Sequence, residues 1–225
     1  MPANVSTWHE RAAQLVPESR AFIGGAYVEA LSGAQFDNVN PATGRVLGRM
    51  SAGDVPDIER AVAAAKAAFE KGAWSRTKPA HRKKVLSAFA QSIFAHREEL
   101  ALLETLDMGK PISDSLKVDI PGAARAIQWY AEAVDKLYDE VAPTGPDALA
   151  LVTREPIGVV GAIVPWNFPL VMAAWKIGPV LASGNSLVLK PSEKSPLTAI
   201  RVAQLAIEAG LPPGVFNVVP GFGHT

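Results

Sequence analysis

Three short polar clusters hold the residues of this sequence that could do chemistry, and each follows a run of aliphatic residues. The first is Pro165-Trp166-Asn167-Phe168-Pro169. The side-chain amide of Asn167 can donate to an oxygen that develops negative charge. It can equally cap a helix starting at Phe168, and by N-cap preference alone the cap is the commoner outcome. The second cluster is Lys190, Ser192 and Glu193. A lysine there can meet a phosphate or ribose, and a carboxylate can accept from ribose hydroxyls, as in dinucleotide sites. A solvated loop in which Lys190, Glu193 and Lys194 simply mix charges accounts for them as well. The third, Gly221-Phe222-Gly223, supplies two of the three glycines of a Gly-x-Gly-x-x-Gly fingerprint and is weak by itself.

The elements that must position these clusters are readable from periodicity. Two β-branched runs, 159–164 and 186–190, flank a segment of helical spacing, 168–182. Such a strand–helix–strand unit makes its strands parallel neighbours, and ligands of open α/β sheets bind at their C-terminal edge. Ser195-Pro196 reads as N-cap and first helical position of a following helix, and 215–219 as a third strand. Upstream, residues 1–20 read as a short helix with Leu15 and Val16 available to dock. Segments 22–28 and 36–39 suggest a small antiparallel ribbon before the turn Asn40-Pro41-Ala42-Thr43-Gly44.

Four helices are then expected. One is capped by Asp54 and buries Ile58, Val62, Ala65 and Phe69. The next starts at Pro79, with Val85, Phe89 and Ile93 inward. A third spans 98–108, and a fourth begins near Pro121 with Ala123, Ile127, Tyr130, Val134 and Leu137 on one stripe. These stripes read as core. A short strand is expected at 149–153. The expected fold class is α/β: a helical N-terminal region leading into part of an open, doubly wound parallel sheet. Three parallel strands make an incomplete sheet of that kind, so part of a larger fold is expected.

Composition narrows the function. The 225 residues are 48% hydrophobic and 20% charged, with 22 basic and 22 acidic side chains, so no global field favours nucleic acid or acidic lipid. The first residues lack an apolar leader core, and no stretch reads as a membrane span; a cytoplasmic location is expected. The four histidines, His9, His81, His96 and His224, show no metal spacing, and no metal is expected. His81 and His96 read as surface residues, and Trp166 and Trp175 as packing residues. There is no cysteine, which excludes disulfides and any thiol nucleophile within these residues.

Taken together, Pro165-Trp166-Asn167-Phe168-Pro169, Ala182-Ser183-Gly184-Asn185-Ser186, Leu189-Lys190-Pro191-Ser192-Glu193 and Gly221-Phe222-Gly223 resemble the NAD(P)-dependent aldehyde dehydrogenase superfamily. The resemblance extends over nearly the whole chain, through Asn40-Pro41-Ala42-Thr43-Gly44, the 104–111 segment and Arg154-Glu155-Pro156-Ile157-Gly158. Segments 119–126 and 129–133 are similar to those of γ-glutamyl-γ-aminobutyraldehyde dehydrogenases. The resemblance implies that Asn167 is an oxyanion-hole donor and that Val164, Pro165 and Trp166 run along the cofactor. It implies Lys190 and Glu193 at the adenosine ribose and Gly223 near the adenine. Glu193 would favour NAD through the 2′-hydroxyl, while Lys190 and Ser192 leave NADP open.

The substrate implied is a small aldehyde, an amino- or γ-glutamylamino-aldehyde. Residues 1–143 would be the N-terminal ribbon and helices of the cofactor domain, 144–157 the start of an oligomerisation ribbon, and 158–225 the βαβαβ half of the dinucleotide sheet. A homodimer or homotetramer is implied for a complete enzyme. The superfamily reaction needs a cysteine thiolate and a glutamate that activates water. With no cysteine, the chain is expected to be inactive alone. Two other readings remain: a dinucleotide-binding or assembly module without catalysis, and a fragment that merely associates through an open sheet edge.

Overall fold

The computed structural model describes residues 5–224. An N-terminal helix, α1 (Val5–Gln14), is followed by a hairpin, β1 (Ala21–Ile23) and β2 (Ala26–Val28). A second hairpin, β3 (Gln35–Val39) and β4 (Val46–Ser51), stands as a separate two-stranded sheet. Four helical elements follow: α2 (Val55–Lys71), α3 (Pro79–Ala95), α4 (Arg97–Met108) and α5 (Ile112–Asp114). The last runs through a π-helical turn, Ser115–Asp119, into α6 (Ile120–Ala133). A third hairpin, β5 (Glu140–Ala142) with β6 (Ala150–Val152), precedes β7 (Val159–Ile163), α7 (Pro169–Ala182), β8 (Ser186–Lys190), α8 (Leu197–Glu208) and β9 (Phe216–Val218).

The expected parallel core is present, and it is extended. β7, β8 and β9 pair in parallel, with Val159 opposite Ser186 and Leu187 opposite Phe216. The β1–β2 hairpin adds to β9 in antiparallel sense, giving a five-stranded sheet in the order β2-β1-β9-β8-β7. The sequence separates this hairpin from the sheet by nearly the whole chain. Asn217 ties them: buried in β9, it accepts from the Gly24 amide at 2.9 Å and donates to the carbonyls of Gly214 and Leu187.

Side chains of the sheet alternate between two layers. Val188 packs on the small residues Ala61 and Ala65 of α2, while Leu187, Leu189 and Phe216 join the main core with α3, α6, α7 and α8. The inward face of α2 is therefore Asp57, Ala61, Ala65 and Ala68. Ile58 and Val62, expected inside, are exposed, because a helix lying close on a sheet buries its smallest side chains. Leu15 packs on the core, but Val16 does not dock and is 91% exposed. Along α6, Ala123 and Ile127 are buried as expected, and Val134 just past it is buried too; Leu137 lies beyond the helix and is exposed. Gly178 on α7 lets the helix approach α6, since a Cβ there would stand 2.3 Å from the Tyr130 ring. Among the described residues no helix is long and apolar enough to cross a membrane.

Candidate functional site at the C-terminal edge of the sheet

The three polar clusters meet at one edge because they follow three adjacent parallel strands. Beyond β7 the pairing continues for one residue, the Val164 amide donating to the Lys190 carbonyl at 3.1 Å. Pro165 then breaks the ladder, having no N–H to give. Val164 is buried, whereas Pro165, Trp166, Asn167 and Phe168 are exposed. The Trp166 carbonyl accepts from Ser195 Oγ at 3.4 Å, which joins the end of β7 to the start of α8. Trp166 and Trp175 are each about half exposed and are not the packing residues their type suggests.

Asn167 does not cap the following helix. α7 begins at Pro169 with Phe168 in the cap position, and no local side chain makes the capping bond. The amide of Leu170 is met instead by Glu104 Oε2 of α4 at 3.2 Å. The Asn167 side chain makes no hydrogen bond within the described residues, so its two N–H donors remain uncommitted. Phe168 beside it lies over the Lys110 ammonium, 4.3 Å from the ring centre.

The second cluster is tied into a turn. Lys190 donates to the Pro191 carbonyl at 3.0 Å, and its ammonium lies 3.9 Å from the Glu193 carboxylate. Burial lowers the Lys190 pKa from its usual range, and Glu193 opposes that shift. Ser192 Oγ accepts from the Lys194 amide at 3.2 Å, while Glu193 keeps about a third of its side chain exposed. Ser195 is not the cap of the next helix. α8 starts at Leu197 with Pro196 in the cap position and no local side-chain cap. The Leu197 amide is met by Asp107 Oδ2 of α4 at 2.8 Å.

At the end of β9 the two glycines differ. Gly221 is buried against Gly53, whose carbonyl oxygen would lie 2.4 Å from an added Cβ. Gly223 is exposed with open space around it. A cavity of about 540 Å³ lies between this end and the β3–β4 hairpin, lined by Phe36, Asp37, Val39, Pro41, Asp107, Met108, Trp166, Glu193, Lys194 and Phe222. It brings together Trp166 and Glu193. Val164, Pro165, Asn167, Lys190, Ser192 and Gly223 stand outside its lining.

Glu104, Asp107 and Lys110 fall within the 104–111 segment and Asp119 within 119–126, both part of the resemblance, yet neither they nor Asn38 is given a site role by the sequence. Lys110 pairs with Asp119 and lies 3.7 Å from Glu104. Asn38 donates to Asp107 Oδ1 at 2.5 Å. Burial pushes the Glu104 carboxyl up to about 7 against the attraction of Lys110, and the Asp107 carboxyl up to about 8 against the bonds from Asn38 and Leu197. Their one sequence signal is carboxylates at core-facing positions of α4, beside Leu100 and Leu103. The first turns of α7 and α8, ordinarily good anion sites, are thereby occupied by the protein's own carboxylates.

Comparison with known proteins identifies a family and a fold. Residues 27–225 match the family model described as Aldehyde dehydrogenase family. The chain is 58% identical over 221 residues to the NADP/NAD-dependent aldehyde dehydrogenase PuuC of Escherichia coli (strain K12), covering 98% of this chain and 45% of that one. It is 52% identical to the aminoacetaldehyde dehydrogenase of Pseudomonas aeruginosa, covering 95% and 43%. Among solved structures, indole-3-acetaldehyde dehydrogenase AldA of P. syringae in complex with NAD+ and IAA superposes with a TM-score of 0.97 at 64% identity, covering 98% of this chain and 44% of that one. The γ-glutamyl-γ-aminobutyraldehyde dehydrogenase of Burkholderia cenocepacia J2315 gives 0.95 at 58% identity, covering 97% and 44%. The chain thus spans a little under half the length of the relatives it matches.

Proposed function

The chain belongs to the aldehyde dehydrogenase family, and on that premise we propose that it carries the oxyanion donor and the adenosine-ribose contacts of an NAD(P)-dependent aldehyde dehydrogenase. The overall reaction in this reading converts an aldehyde, NAD(P)+ and water to a carboxylic acid and NAD(P)H, with release of a proton. An amino- or γ-glutamylamino-aldehyde is the substrate class, supported by the likeness to the relatives named for such substrates. NAD(P)+, when bound, supplies the hydride acceptor.

The observation that carries the reading is the state of Asn167. Its amide sits at the end of a parallel strand, exposed, with no hydrogen bond among the described residues, and Glu104 takes the place a local cap would have. No group among the described residues competes for its N–H donors, which leaves them available to a substrate oxygen on which charge develops. Across the neighbouring strand, Glu193 lines the cavity with about a third of its side chain exposed, which suits acceptance from a ribose hydroxyl. That arrangement favours NAD, and the Lys190 ammonium with Ser192 can meet the extra phosphate of NADP. Val164, Pro165 and Trp166 would line the cofactor's path, and Gly223, with open space around it, would lie near the adenine.

The thiolate that attacks the aldehyde is not among these residues, because the chain has no cysteine. In this reading the 225 residues alone are expected not to oxidise an aldehyde. The hairpin of β5 and β6, with Val141 and Leu151 exposed, is read as the start of an oligomerisation ribbon over residues 144–157, its first strand lying just before them. A homodimer or homotetramer in the cytoplasm completes the reading. Aldehyde-dependent NADH formation tests it: none by the 225-residue chain, and turnover by a longer protein carrying this segment together with a cysteine-bearing one. Absence of turnover in the longer protein would overturn the reading.

A further inference from the structure

Two helices follow the strand ends that carry the polar clusters, and neither begins with a residue able to cap it. Phe168 and Pro196 occupy the cap positions and offer no side-chain acceptor. The first amides of a helix lack intrahelical partners and need acceptors from elsewhere. Here both acceptors come from α4, one turn apart: Glu104 to Leu170 at 3.2 Å, and Asp107 to Leu197 at 2.8 Å. Both carboxylates are buried, at 0% and 1% exposure. Glu104 is faced by Lys110 and Asp119, and Asp107 by Asn38. α4 itself is seated in the core through Leu100, Ala101 and Leu103.

A local cap moves with its own loop, whereas a cap from a buried neighbouring helix ties the loop to the core. Leu170 lies three residues after Asn167, and Leu197 four residues after Glu193. We propose that Glu104 and Asp107 are positioning residues, Glu104 fixing the segment that presents Asn167 and Asp107 fixing the turn that presents Lys190, Ser192 and Glu193. The functional consequence rests on the reading of these residues given under Proposed function. Displacement of a reacting group by about 1 Å can cost about 10²-fold in rate, so a loop anchored at one amide has large leverage.

Hydrogen exchange on the 225-residue chain tests the anchoring. Glu104→Ala should speed exchange of the amides in 166–172 by about five- to thirtyfold, the factor for one lost cap, and leave 192–198 within about twofold. Asp107→Ala should do the converse. Glu104→Gln and Asp107→Asn keep an acceptor oxygen and should restore most of the protection. Exchange that rises equally in both loops, or in neither, would overturn the assignment. A second measurement does not depend on the alanine variants folding. In the wild-type chain the Leu170 amide resonance should follow the titration of one carboxyl and Leu197 that of another. Glu104→Gln should abolish only the first response and Asp107→Asn only the second; both responses surviving either variant would contradict the assignment. NAD+ titration separates loop anchoring from cofactor binding. Asp107→Ala should weaken NAD+ binding about tenfold, with Glu104→Ala changing it less than about threefold. Equal losses would overturn the division of labour. Intact anchoring in a wild-type chain that ignores NAD+ would uphold the anchors and remove the cofactor reading.

Discussion

The ends of β7 and β8 are built alike and finish differently. Each strand runs into a proline-containing turn, each turn into a helix, and each helix is capped from α4. At the end of β7 the polar side chain, Asn167, has no hydrogen-bond partner among the described residues. At the end of β8 the polar side chains are tied into their own turn: Lys190 donates to the Pro191 carbonyl and lies beside Glu193, and Ser192 Oγ accepts from the Lys194 amide. The difference separates two tasks. An amide with no protein partner among the described residues suits an oxygen whose charge is transient, because no protein bond must be broken to use it. A turn held by its own bonds, with the Glu193 side chain one third exposed, suits a hydroxyl-bearing ligand that is present throughout.

The largest effect that would break this contrast is at Asn167. In a cysteine-bearing protein that contains this segment, Asn167→Ala should lower kcat about 10²–10³-fold, the cost of one oxyanion donor, with little change in Tm. An unchanged kcat would leave Asn167 without a role at this edge. Next in size is Glu104→Ala, which removes a cap and one carboxylate from around a buried ammonium. Thermal unfolding should show a loss of about 1–3 kcal/mol, and an unaltered Tm would mean that the Leu170 amide finds another acceptor.

A pH effect sharpens the comparison further. Burial raises the Asp107 carboxyl from 3.8 to about 8 and Glu104 from 4.5 to about 7. A carboxyl raised on folding binds more protons in the native state, so its contribution is full below the unfolded value and lost as pH rises through the folded one. Stability should therefore decline from about pH 4 to pH 8 on account of these two groups. Asp107→Asn should lessen the decline throughout and remove it above about pH 7, and Glu104→Gln should lessen it only below about pH 7; an unchanged slope in both variants would show that the two carboxyls are not the source. The smallest effect expected is at Glu193, where a group one third exposed is screened by water. Glu193→Gln should weaken NAD+ about three- to tenfold and NADP+ less, measured by calorimetry. Equal losses would remove Glu193 from the ribose.

Much of this edge is legible in the sequence, and the missing parts share a physical cause. The βαβαβ run is readable because buried parallel strands are continuous aliphatic runs and α7 and α8 are flanked by proline and glycine. The clusters around Asn167 and Glu193 are readable because they fall at strand ends. Periodicity, however, reports which side of a helix is apolar, not how near its partner lies. Ile58 and Val62 are therefore outside while Ala61 and Ala65 are inside. The caps are invisible for another reason. Asn167 and Ser195 have the right residue types in the right places, yet the acceptors come from 66 and 90 positions away. Local rules see only local competitors. The π-helical turn at Ser115–Asp119, which sets Asp119 against Lys110, likewise breaks the period on which a sequence reading depends.

The central claim is that this edge holds a dinucleotide's ribose beside an unspent amide donor. Calorimetric titration of the 225-residue chain with NAD+ tests it most directly, because binding requires no cysteine. Saturable binding of one NAD+ per chain is expected, weakened by Glu193→Gln and untouched by Asn167→Ala. A folded chain that takes up no NAD+, or whose binding ignores Glu193→Gln, would contradict it.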